Sequence, residues 1–150
     1  MKKYTLFLLL AGLVMFGCSG LKKTAYKSVD ERDVPERYVK DFHQRHKDIK
    51  EVRWQMADST VYFANFKTED NDCIMKFTLT TTEMRYIIPK EYLPSSITDF
   101  VKTDYPEYKI QESYITDVRN NKSYLIVVAK KGESLNLQFD LKGNFKKVVE

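Results

Sequence analysis

A stretch that occurs twice limits this chain to few architectures. Val34-Pro35 through His46 and Leu93-Pro94 through Tyr105 each open with an aliphatic residue and a proline. Each then places apolar side chains at helical spacing: Val34, Tyr38 and Phe42 in the first, Leu93, Ile97 and Val101 in the second. The two copies stand 59 residues apart. The recurrence continues beyond them. Tyr62-x-Ala64-x-Phe66 is answered by Tyr124-x-Ile126-x-Val128 and Met75-x-Phe77 by Leu137-x-Phe139, now 62 residues apart. A chain written this way is two copies of one unit and must bury the same faces twice.

Each copy reads as one helix and four antiparallel strands. Proline suits the first helical position, where its missing amide proton would have no partner anyway. The first helix is expected at about residues 35–47 and the strands at about 51–56, 60–68, 73–79 and 83–88. A second helix at about 94–104 is stopped by Pro106, and strands follow at about 108–118, 123–130, 134–139 and 145–149. Asp58-Ser59, Glu69 to Asp72, Asn120-Asn121, Lys131-Gly132 and Lys142-Gly143-Asn144 supply the turns. One unit of roughly 58 residues is marginal by itself, so the two are expected to share a core. The expected fold class is α+β: two tandem helix-plus-four-strand repeats, 34–91 and 92–150, forming a continuous antiparallel sheet with both helices on one face. Alternation places Trp54, Met56, Tyr62, Ala64, Phe66, Met75, Phe77 and Leu79 toward the helices, with Tyr124, Ile126, Val128, Leu135, Leu137 and Phe139 from the second copy.

The first 17 residues have a different character. Lys2 and Lys3 precede an apolar run from Leu6 to Phe16 that is short for a membrane span, and Gly17 stands before Cys18. That pattern is a secretory signal peptide. Met15-Phe16-Gly17-Cys18 resembles the lipobox of bacterial lipoproteins, although the bulky Phe16 is not the usual choice there. The resemblance implies that Cys18 becomes the acylated N-terminus, so the expected partner at this end is a membrane, and more than one acyl chain gives stable anchoring. Ser19-Gly20-Leu21-Lys22 follows without an acidic residue, which by resemblance to sorting signals implies the periplasmic face of the outer membrane. Residues 18–33, mixed in charge and poor in periodic apolar content, read as a tether.

Loss of Lys2 and Lys3 leaves 23 basic against 21 acidic side chains, a net charge of +2. Near-neutral, interspersed charge and export both argue against a nucleic-acid partner. With Cys18 used as anchor, Cys73 has no disulfide partner, and its place before Met75 and Phe77 reads as a small buried hydrophobe.

The residues then carry a resemblance. Val34-Pro35, Phe42, His46-Lys47, Trp54, Tyr62-x-Ala64-x-Phe66, Leu93-Pro94, Tyr105-Pro106 and the closing Phe139-Asp140-x-x-Gly143 resemble the PepSY-like family of exported bacterial proteins, described as beta-lactamase-inhibitor-like. The likeness spans nearly all of residues 34–150 and implies a duplicated helix-plus-four-strand fold and a binding or inhibitory role. His46-Lys47 departs from the aromatic and proline that the second copy keeps at Tyr105-Pro106, and the first copy closes with Leu79-Thr80-Thr81-Thr82-Glu83 in place of an Asp-x-x-Gly turn.

Little in the chain points to catalysis. His43 and His46 stand three apart on the first helix, but they align with Lys102 and Tyr105, a solvent position and an aromatic core margin, so no metal is expected. Glu69-Asp70-Asn71-Asp72 lacks the glycine and distal glutamate of a calcium loop. No Gly-x-Ser-x-Gly elbow and no glycine-rich phosphate cradle occur. The expectation is a non-enzyme without a cofactor.

The informative face is the one turned away from the helices. Alternation gives it Arg53, Gln55, Val61, Phe63, Asn65, Lys67, Ile74, Lys76, Thr78, Arg85 and Ile87 from the first copy, and Leu125, Val127, Asn136 and Gln138 from the second. Apolar groups rimmed by basic and amide groups describe a surface that loses water against a partner. Arg53, Phe63, Lys67, Ile74, Lys76, Arg85, Leu125 and Val127 are the candidate contact residues for a protein or peptide. The competing expectation is a structural envelope spacer that has no specific ligand.

Overall fold

The computed structural model describes residues 26–149. Cys18, the signal segment and most of the expected tether therefore lie outside the described residues. The chain is α+β. A single nine-stranded sheet follows the order of the sequence: β1 (Lys27–Val29), β2 (Val52–Asp58), β3 (Val61–Lys67), β4 (Asp72–Phe77), β5 (Thr82–Ile87), β6 (Lys109–Val118), β7 (Asn121–Lys130), β8 (Glu133–Phe139) and β9 (Phe145–Val149). Every neighbouring pair is antiparallel. The helices α1 (Glu36–Arg45) and α2 (Ser95–Asp104) interrupt the meander after β1 and after β5.

The duplication holds at the level of backbone angles. Each helix spans 10 residues, starts after a proline in extended conformation, Pro35 or Pro94, and is preceded by a three-residue 3-10 turn, Glu31–Asp33 or Lys90–Tyr92. His46 and Tyr105 end them with nearly equal angles, φ −127° and ψ 61° against φ −128° and ψ 53°. The same places are also buried, Tyr38 and Phe42 on α1, Ile97 and Val101 on α2.

The side-chain alternation divides the sheet as expected, with one exception. Trp54, Tyr62, Ala64, Phe66, Met75 and Phe77 pack under α1, joined at the margin by Met56. Ile126, Val128, Leu137 and Phe139 pack under α2, joined by Tyr124 and Leu135. Leu79 does not face the helices. Strand β4 ends at Phe77, and Leu79 is 63% exposed in a tight turn in which the Thr78 amide donates to the Thr81 carbonyl. Threonine hydroxyls at 78 and 81 stabilise that turn, and turn chemistry outweighs the continuing alternation.

Two further expectations are corrected. The two copies share a sheet but not a core: one apolar cluster lies under each helix, and they are distinct. The two units join through the hydrogen-bonded pairing of β5 with β6, where Met84 to Ile87 stand opposite Asp117 to Tyr114. The sheet also begins earlier than residue 34. Residues 27–29, assigned to the tether, form β1 and pair with Trp54 to Met56, and the following 3-10 turn presents Glu31 to the core. The Trp54 indole Nε1 donates to Glu31 Oε2 at 3.0 Å, and His43 Nε2 lies 3.3 Å from both Glu31 oxygens. The reason is in the repeat itself. Residues 27–29 stand 59 before 86–88, so β1 corresponds to the end of β5, which closes the first unit and opens the second.

At the C-terminal end the Phe139-Asp140-x-x-Gly143 segment turns β8 into β9. The Gly143 amide donates to the Asp140 carbonyl at 3.0 Å, and Gly143 adopts φ 84°, where an L side chain is strained. A Cβ there would lie 2.1 Å from Ser96 Oγ at the start of α2, so glycine lets this turn close against the helix. The β6–β7 turn is centred on Arg119 and Asn120, both at positive φ, one residue earlier than the Asn120-Asn121 expected from sequence.

Candidate functional site

The face without helices is built by every second residue of β2 to β8. Its register brings the candidates into rows. Phe63 stands between Gln55 and Lys76, Asn65 between Arg53 and Ile74, and Ile74 continues to Arg85, Thr116 and Ser123. Ile87, Tyr114, Leu125, Gln138 and Lys147 form another row. Val127 lies between Glu112 and Asn136.

These residues do not present one uniform surface. Arg53 is exposed and makes no ion pair among the described residues, and Lys76, half-buried, makes none either. Lys67 is exposed and pairs with Asp72 at 3.0 Å. Arg85 is not the free cation that the sequence implied. Its Nε donates to Glu83 Oε1 at 2.6 Å, both side chains are less than a fifth exposed, and the guanidinium lies 5.6 Å over the Tyr114 ring. Burial of that pair orients Arg85 more than it stabilises the fold. Ile74 and Val127 are half-buried and supply apolar area at the surface.

Two candidates are inside. Phe63 is 6% exposed and Leu125 8%. Phe63 lies against Tyr26, ring centroids 4.6 Å apart, and Leu125 stands between Tyr114 and Gln138. The polar groups around them are paired. Tyr114 Oη donates to Glu112 Oε2 at 2.7 Å, Thr116 Oγ1 and Ser123 Oγ are 3.0 Å apart, and Gln138 Nε2 donates to Ser123 Oγ at 2.9 Å. Burial, and then the bond to Glu112, raise the Tyr114 phenol well above its ordinary value of 10.0, so it stays protonated as a donor. Tyr114 and Thr116 were absent from the sequence-based list because no residue of β6 was assigned to a face, although the alternation through Ile115 and Asp117 carries that signal; Ser123 lies on β7, two residues before Leu125 on the same alternation, and was also left out. Tyr26 stands 59 residues before Arg85 of the same face, a correspondence visible only once β1 is known to belong to the repeat. A cleft of about 360 Å³ opens beside Tyr114, lined by Ile87, Ile88, Pro89, Ile110 and Glu112.

The groups set aside in the sequence fall as follows. His46 packs on Phe42 and Phe66 at ring distances of 5.3 and 4.6 Å, at the core margin held by Tyr105 in the second unit. Burial, then Arg45, lower its pKa below 6.5, while Asp41 pulls the other way. The folded state therefore binds this proton less tightly than the unfolded chain. Stability is full above about pH 7 and falls as the pH drops through 6.5 and below. His46→Tyr is expected to flatten this dependence, checked by urea midpoints at pH 7.5 and pH 5; equal slopes for parent and variant would reject the assignment. Cys73 is 2% exposed in the first cluster, and burial raises its thiol pKa, which keeps it unreactive. Among the described residues no three His, Cys, Asp or Glu side chains gather as metal ligands would.

No family model matches the sequence, and no curated protein matches it. The backbone is similar to the crystal structure of a BLIP-like protein from Bacteroides fragilis, with a TM-score of 0.54 and 16% identity over 77% of this chain and 86% of that one. At that identity the likeness shows a shared fold. A putative calcium-regulated periplasmic protein from Bacteroides thetaiotaomicron aligns over 83% of this chain and 97% of that one at 21% identity, with a TM-score of 0.34, too loose a superposition to carry an argument.

Proposed function

We propose that this chain is a binding module of the bacterial cell envelope, anchored through a lipid on Cys18 at the periplasmic face of the outer membrane, that receives a protein or peptide on the helix-free face of its sheet. One observation carries the reading. A broad sheet face with no helix over it among the described residues combines half-buried aliphatic side chains, Ile74 and Val127, with two basic groups, Arg53 and Lys76, that make no ion pair among those residues. Apolar area that is already partly dry, next to unspent positive charge, favours a partner with apolar and acidic groups. Kinship with the PepSY-like family and an inhibitor-like mode of action are part of the same proposal, supported by the fold shared with a BLIP-like protein. So is the absence of catalysis, since Arg85, Tyr114, Ser123 and Gln138 of the face are taken up in pairs.

The alternative, an envelope spacer, is favoured by the internal cover over Phe63 and Leu125, which leaves less apolar area for a partner than alternation alone implied. Affinity capture from an envelope extract separates the two. Arg53→Glu with Lys76→Gln changes two charges whose side chains make no ion pair among the described residues and avoids setting a second carboxylate opposite Glu83, so folding is expected to be unchanged and capture at least tenfold weaker. Equal capture by parent and variant, or none by either, would favour the spacer.

A further inference from the structure

On the premise that this face binds a polypeptide, we infer that the surface beside Phe63 is an acceptor for an aromatic side chain, that Tyr26 occupies it in the free protein, and that the partner places a tyrosine or phenylalanine there instead. The position of Tyr26 carries this. In the register Ser28 stands opposite Gln55 and Gln55 opposite Phe63, so Phe63 is two strands in from the sheet edge. Tyr26, which precedes β1, turns back across β2 to bring its ring to 4.6 Å from that of Phe63, tilted by 35°. Offset and tilted contacts are the arrangements in which two aromatic rings attract. The Tyr26 side chain thus reaches inward from the edge of the sheet and lies against Phe63, which is 6% exposed on a face that carries no helix among the described residues.

The cover is held lightly. Tyr26 is itself 43% exposed, and the strand that delivers it has three residues, paired on one side to β2. Short edge strands open at low cost. Other polar groups of the face are bonded to partners other than Tyr26: Arg85 to Glu83 and Tyr114 to Glu112. A partner's aromatic residue therefore meets a preformed surface and competes with one side chain for it. A segment that also carries an acid satisfies Lys76, which stands next to Phe63 in the register.

Titration of p-cresol, the tyrosine side-chain analogue, into the full chain tests this without any partner, so it can fail while envelope capture succeeds, and the reverse. In Tyr26→Ala the aromatic proton resonances of Phe63 are expected to shift on titration, with an apparent affinity at least tenfold above that of the parent, in which Tyr26 competes. Tyr26→Phe should behave as the parent, and adding Phe63→Ala to Tyr26→Ala should abolish the response. Unshifted Phe63 resonances in Tyr26→Ala, or equal responses of parent and variant, would overturn the inference. So would global unfolding of Tyr26→Ala, because a displaceable cover cannot be a requirement for the fold.

Discussion

Phe42→Ala is expected to destabilise the protein by about 3–5 kcal/mol, the usual cost of deleting a fully buried phenylalanine. Phe42 has no exposed surface and is the meeting point of the first cluster, with ring centroids 5.0 Å from Phe66, 5.7 Å from Trp54 and 5.3 Å from His46. His46 ends the same helix, but Trp54 and Phe66 come from β2 and β3, so the cavity is walled by separate elements and cannot be closed by a local adjustment. Against a total stability of about 5–15 kcal/mol for a domain, the loss is a large share. Because the two clusters are separate, the damage should also be local. Hydrogen exchange is expected to show loss of amide protection in β2 to β4 exceeding that in β7 and β8, with an early shift in the fluorescence of Trp54, the sole tryptophan. A loss below about 1 kcal/mol, or protection falling equally in both units, would contradict the two-cluster account.

Ile115→Pro acts on the join. Ile115 stands in the middle of β6, opposite Tyr86 of the first unit and Tyr124 of the second. Proline there removes an amide from the ladder, leaves a carbonyl without its donor and crowds the adjacent strand, a cost on the order of 3 kcal/mol. Ile115→Val, which keeps the amide, is expected to cost about 0.5–1.5 kcal/mol and serves as the comparison. The β5–β6 ladder carries the contact between units, so the proline variant should unfold in two steps, with the Trp54 transition separating from the loss of protection in β7 and β8. A single shared transition would mean that the units are coupled through something other than this ladder.

The candidate site was legible only in part. Arg53, Lys76, Ile74 and Val127 lie where alternation puts them and remain at least partly accessible. Phe63 and Leu125 also lie on the expected face, yet are buried, and Arg85 is neutralised by Glu83. Alternation assigns a side chain to a face of the sheet; it carries no information on which other side chain lies across it. Glu83 and Arg85 are two apart on one strand, so their pairing was within reach of the pattern. Tyr26 and Phe63 meet across two strands, and nothing periodic connects them.

What the sequence determined by itself is whatever repeats over short range. Proline followed by apolar residues at helical spacing set both helices, period-two alternation set eight of the nine strands and their helix-facing residues, and the 59-residue recurrence set the duplicated α+β plan. Those features arise from backbone geometry and from the partition of side chains between water and core, both readable a few residues at a time. The tertiary structure decided the rest: that residues 27–29 join the sheet, that Leu79 leaves the core for a turn, that each helix gathers its own cluster, and that Tyr26 closes over Phe63. Each of these depends on an unpaired strand edge or an uncovered apolar group finding a distant segment, and that competition is settled only when the whole chain is folded.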